Sequence, residues 1–266
     1  MRFLQRCLLA NFRRSFLCSI AAFLALNVVI DLSTAHGQED TIKIAKTTAE
    51  SSDGFQSLFN GKDLTDWAGA VEDYEVVDGS IVCKPNRGGV LFTKKQFADF
   101  VVRVEFLLPP GGNNGLAIRY PGKGRASYDA MCELQVLDDD APKYATLDPR
   151  QYHGSIYGIV AAKRGALKPI GQWNEQEVTV VGSRIKVELN GQVIVDADVA
   201  PIETYLHDLP HPGKMLTQGH FGFAGHGDPV KFRNIRIKEL KPAEQSTTQP
   251  AKPTSEKSSD ESAGKK

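Results

Sequence analysis

The chain of 266 residues has no net charge to offer a partner, with 32 Lys and Arg set against 32 Asp and Glu. Without a basic surplus or stripe it cannot neutralise a phosphate backbone, which argues against nucleic acid as a partner. It also lacks zinc-type Cys/His spacing, a phosphate-cradling glycine loop, a dinucleotide fingerprint and a serine nucleophile elbow. Cysteine is scarce. Of the four, Cys7 and Cys18 lie in the N-terminal leader, which leaves Cys83 and Cys132, too few for a disulfide framework and expected as independent buried thiols. No segment sustains a 3.6-residue apolar period, so no substantial helix is expected, and residues 201–209 form a short one at best.

What is present begins with an address. Arg2, Arg6, Arg13 and Arg14 precede an apolar run over 15–30 that ends near small residues, the pattern of a cleaved export signal over 1–37. Arg13-Arg14 also fits a twin-arginine signal. The run is shorter than the roughly 20 apolar residues of a membrane span, so no stable insertion is expected after cleavage, and the destination is periplasmic or extracellular. A polar linker over 38–52 follows. Residues 241–266 mix Pro, Ser, Thr, Glu, Gln and Lys and are expected to be disordered. The folded unit is then 53–240.

Within it, strand signals follow one another with glycine-bearing turns between them. Segments 74–77, 80–84, 90–93, 101–108, 115–120, 131–137, 154–159, 176–181, 184–189, 192–197, 220–224 and 230–239 read as strands. Asp78-Gly79 and Asn190-Gly191 supply tight hairpin turns. Val102, Val104, Phe106 and Leu108 alternate onto one face, as in a half-buried strand. Many strands without a long helix predict an all-β fold, a jelly-roll sandwich of two antiparallel sheets.

The stretch 132–138 alternates in the same way, but its polar positions hold Glu133 and Gln135, which project together from the face opposite Leu134 and Val136. That makes a floor for a polar site. Candidate walls are Asn114 leading to Arg119, His153 with Tyr157, Trp173, and His226 with Asp228. Each has a plainer reading. Arg119 could pair with Glu133 across strands, Trp173 could be a core aromatic, and the glycine-flanked histidines could be loop donors. Asp138-Asp139-Asp140 has the look of a calcium site, although acidic loop runs are usually solvated. The metal question stays open. With the catalytic motifs above missing, acid–base chemistry or carbohydrate binding is the natural use of such a groove.

Several motifs together resemble the 3-keto-disaccharide hydrolase family, also described as 3-keto-glucoside 1,2-lyase and 3-keto-2-hydroxy-glucal hydratase domains. They are Phe59-Asn60-Gly61-Lys62-Asp63-Leu64, Asn114-Gly115-Leu116-Ala117-Ile118-Arg119, Glu133-Leu134-Gln135-Val136-Leu137-Asp138, Gly154-Ser155-Ile156-Tyr157-Gly158, Gln172-Trp173-Asn174 and His226-Gly227-Asp228-Pro229. The resemblance implies a concanavalin-like jelly roll and cleavage of 3-keto-glycosides. A ketone at C3 acidifies the C2 proton, a base removes it, the C1 oxygen leaves by β-elimination, and water adds to the resulting glucal. On that resemblance Glu133 or His153 is the base, Arg119 or a bound divalent cation stabilises the enolate, and Tyr157 or His226 is the acid. Gln135 and Asn114, with Trp173 and Asp228, would hold the sugar. No cofactor is required, a divalent cation is allowed, and the partner is a sugar or glycoside substrate. Two alternatives remain at this point: an ordinary glycoside hydrolase of the laminarinase type, weakened by Gln135 where a second acid would stand, and a non-catalytic carbohydrate-binding domain.

Overall fold

The computed structural model describes residues 53–241. The expected export signal, the linker and all of the expected disordered tail beyond Lys241 lie outside the described residues. Thirteen strands run through the described part: β1 Gln56–Ser57, β2 Trp67–Gly69, β3 Tyr74–Val77, β4 Ser80–Cys83, β5 Gly89–Phe97, β6 Phe100–Leu107, β7 Asn113–Tyr120, β8 Cys132–Leu137, β9 Trp173–Val181, β10 Arg184–Leu189, β11 Gln192–Asp198, β12 Gly219–Gly225 and β13 Lys231–Glu239. The longest α-helix among the described residues is the single turn α1, Ala126–Asp129. No helix among them is long and apolar enough to cross a membrane.

The strands form two antiparallel sheets packed as a jelly-roll sandwich. One has the order β11-β10-β9-β6-β13-β4-β3, with β1 beside β13, and the other the order β2-β5-β12-β7-β8. Alternation explains the packing. Val102, Val104 and Phe106 of β6 point between the sheets and are almost wholly buried, as is Leu108 just beyond it. Phe223 of β12 stacks on Phe232 of β13 with ring centroids 4.0 Å apart, and Trp67 stacks on Phe223 at 5.4 Å. Each such ring contributes about 1.5–3 kcal/mol by burial, so this cluster ties one sheet to the other. Asp78-Gly79 and Asn190-Gly191 hold positive φ at both residues, as two-residue hairpin turns demand. Cys83 and Cys132 are buried and free.

Two expected elements differ. Residues 154–159 are not a strand but a looped segment with isolated bridges Leu134↔Ile156 and Ile156↔Val160. Gly154 and Gly158 have φ of +77° and +71°, which breaks the extended repeat. Residues 201–209 contain only the 3₁₀ turn Leu206–Asp208.

Candidate functional site

β8 is an edge strand of the five-stranded sheet. Cys132, Leu134 and Val136 belong to the core between the sheets, while Glu133, Gln135 and Leu137 line a cavity on the outer face. An edge strand leaves a row of backbone groups unpaired unless something covers it. Residues 153–157 do so here. Tyr157 N–H donates to the Glu133 carbonyl at 2.9 Å, Gln135 N–H to Ser155 O at 3.0 Å and Gly154 N–H to Gln135 O at 2.8 Å. Leu137 N–H ends the series by donating to Nδ1 of His153 at 3.3 Å.

The cavity holds about 160 Å³. Its lining combines Asn113, Ser127, Glu133, Gln135, Leu137, Tyr144, Leu147, Gln151, Tyr157 and His226. Glu133 is 4 % exposed and lies across Gly115 of β7, where a methyl group would stand 2.1 Å from its carboxylate oxygen. The glycine is what lets the carboxylate lie flat on the sheet. His226 Nε2 is 3.5 Å from the Glu133 carboxylate, and its pKa is raised, first by that hydrogen-bonding partner and then by the charges of Glu133 and Asp228, against the opposing effect of burial. Gln135 Nε2 donates to Asn113 Oδ1 at 2.7 Å, and Gln151 Nε2 donates to the Tyr157 hydroxyl oxygen at 3.0 Å. One carboxylate, one imidazole, phenols and carboxamides thus surround a single small space.

Of the nine candidates, Glu133, Gln135, Tyr157 and His226 line this one cavity. The other five candidates do not reach the cavity. Arg119 has φ of +48°, and the turn in its backbone carries the guanidinium away from Glu133. It donates instead to the carbonyls of Ala98, Gly182 and Leu216 at 2.7–2.9 Å and to Asp99 at 2.8 Å. His153 is buried between the sheets, its ring 5.0 Å from that of Phe106, and burial pushes its pKa down to about 4. Because Nδ1 accepts from Leu137, the ring proton sits on Nε2 and donates to Gln176 Oε1 at 3.1 Å. Asn114 shares the inward parity of Leu116 and Ile118 and is fully buried, so its neighbour Asn113 takes the cavity position. Trp173 lies on β9 of the other sheet, capped by the Arg233 guanidinium at 3.9 Å. Asp228 stands outside the cavity lining and acts on it through its charge beside His226.

The acidic run is structural at two of its three positions. Asp138 accepts from Gly111 N–H at 2.7 Å, and Asp139 accepts from His153 N–H at 2.7 Å. No three His, Cys, Asp or Glu side chains converge as a metal-ligand set among the described residues. In the cavity, Glu133 and His226 carry the ligand-type atoms, joined by the amide oxygens of Asn113 and Gln135. The sequence reading chose Asn114 over its neighbour Asn113 and did not single out Ser127, Tyr144 or Gln151. The pairing of Asn113 with Leu137 across β7 and β8 was open to a register argument, but the loop residues had no such signal.

Among solved structures, a protein from Parabacteroides distasonis ATCC 8503, provisionally named a glycosyl hydrolase, matches 70 % of this chain and 99 % of its own with TM-score 0.62 and 27 % identity. A second such protein from the same organism matches 74 % of this chain and 99 % of its own with TM-score 0.62 and 25 % identity. The jelly-roll fold and these likenesses mark a carbohydrate-active domain. Residues 54–238 match the family described as a 3-keto-alpha-glucoside-1,2-lyase-like domain. A 3-keto-disaccharide hydrolase of Bacteroides thetaiotaomicron is 27 % identical over 229 residues, covering 71 % of this chain and 79 % of that one. The chain belongs to this 3-keto-glucoside lyase-like family.

Proposed function

We propose that the cavity takes the sugar ring of a 3-keto-glycoside and cleaves it by elimination. The observation that carries this reading is the single buried carboxylate: Glu133 faces amides, phenols and an imidazole, with no second acid in the cavity lining to complete a two-carboxylate hydrolysis. An activated C–H needs one base, whereas an unactivated glycoside needs an acid and a second carboxylate. Glu133 accepts the C2 proton as its contact to His226, long at 3.5 Å, gives way to substrate. The charge moving to the C3 oxygen is met by the N–H groups of Asn113 and Gln135 and by an N–H of the His226 ring. Two wall groups can supply the proton to the leaving oxygen, Tyr157 and His226. Water then adds across the glucal.

The test is incubation of the purified protein with a 3-keto-glucoside and with its unoxidised parent, with and without a chelator. Aglycone release from the keto sugar alone is expected. Equal release from the parent would instead identify an ordinary glycoside hydrolase, and binding without release a carbohydrate-binding domain. Loss of activity with chelator would add a divalent cation to the site.

A further inference from the structure

Gln151 ends the 3₁₀ turn Pro149–Gln151, and a capping box fixes which way round its carboxamide lies. The Asp148 backbone N–H, which can only donate, points at Gln151 Oε1 from 3.2 Å, while the Asp148 carboxylate accepts from Arg150 N–H at 2.9 Å. The other end of the amide is therefore NH₂. It lies 3.0 Å from the Tyr157 hydroxyl oxygen, and an NH₂ group has no lone pair to accept with. The phenol oxygen accepts, so its own proton is turned elsewhere. No acceptor among the described residues takes that proton, and Tyr157 stands in the cavity wall beside Glu133, held there by its N–H bond to the Glu133 carbonyl.

We propose that Gln151 is a positioning residue that sets Tyr157 as the proton donor to the departing oxygen, an inference that rests on the elimination reading above. Glu133 takes the C2 proton and the C2–H electron pair forms the enolate. The enolate collapses to a C1=C2 double bond, the C1–O bond breaks, and the leaving oxygen takes the Tyr157 proton. The resulting phenolate keeps the Gln151 N–H as its hydrogen-bond donor. Hydration runs the same steps backwards with water in place of the alcohol. The phenolate takes a proton from water, hydroxide adds at C1, and Glu133 returns its proton to C2, so both groups are restored.

Gln151→Glu tests the orientation with little change in shape. Glutamate at this position of a capping box still accepts from the Asp148 N–H, but its second oxygen accepts from the Tyr157 O–H and draws the proton out of the cavity. An alkoxide leaves poorly without a proton and a nitrophenolate leaves well. On a methyl 3-keto-glucoside kcat/KM is expected to fall at least about a hundredfold, the scale of general-acid catalysis, while a 4-nitrophenyl 3-keto-glucoside stays within a few-fold. Tyr157→Phe should show the same selectivity, with the melting temperature confirming the fold. Equal losses on both substrates, or no loss on either, would overturn the role of Gln151 and leave the elimination standing. An unaltered protein that cleaves neither substrate would overturn both.

Discussion

Arg119 is about 1 % exposed and ties three stretches of backbone to one guanidinium, from the β5–β6 turn, the β9–β10 turn and the loop before β12. Burial lowers its pKa, and the Asp99 carboxylate works against that by favouring the charged form. Replacing it with methionine keeps much of the volume but strands those carbonyls and Asp99. Asp99 keeps partial access to water, but leaving a buried carbonyl without its donor costs about 1–3 kcal/mol, and a loss of at least that order in urea unfolding, at unchanged m-value, is expected for Arg119→Met. Turnover per folded molecule should hold, since no atom of Arg119 lines the cavity. An arginine one residue from a strand end, on the parity of the polar face, reads as a groove residue. Only the positive φ at that position reverses the reading, and φ is not written in the side chain.

β8 and the segment that covers it behave as one element. Three of the bonds along its free edge are backbone to backbone, and the fourth is the side chain of His153. Its folded pKa of about 4 lies below the ordinary value of 6.5, so the fold favours the neutral ring. The sign follows directly. Stability from this group is complete above pH 6.5 and is lost as the pH falls towards 4, by up to about 3 kcal/mol for the shift involved. His153→Asn keeps an acceptor for Leu137 N–H and does not titrate, so its urea midpoint is expected to vary less between pH 7 and pH 4 than that of the unaltered protein. The alternation in 132–138 made the faces of β8 legible in advance. What covers the edge was not, because residues 154–159 pair through scattered bonds around two left-handed glycines rather than as a repeating strand.

At the scale of the molecule, the cavity draws its walls from β7, β8, α1, the loop over 142–157 and the turn after β12. Hydrophobic alternation suffices to specify two antiparallel sheets, because each strand declares its own buried face. A wall contributed by a loop declares no face of its own, so Tyr157 and His226 were marked only by the glycine-flanked motifs that hold them, and Gln151 and Tyr144, with no such motif, were invisible while Glu133 and Gln135 were plain. We propose that the whole molecule works after export, on the strength of the arginines and apolar run at its start. Mass spectrometry of protein recovered from periplasm or medium should find a chain that has lost residues 1–37. Recovery of the intact chain from the membrane fraction would contradict this.

The glycine beneath Glu133 links two distant positions in the alphabet of the sequence. With the carboxylate lying where a Cβ of residue 115 would be, the acid at 133 and the bare backbone at 115 form one unit split across two strands. A chain that gains a side chain at 115 must redirect or surrender the carboxylate, and one that loses the acid frees 115 to vary. The pair is a two-letter signature for sorting family members that keep this cavity from those that have rebuilt it, and it can be read without a structure.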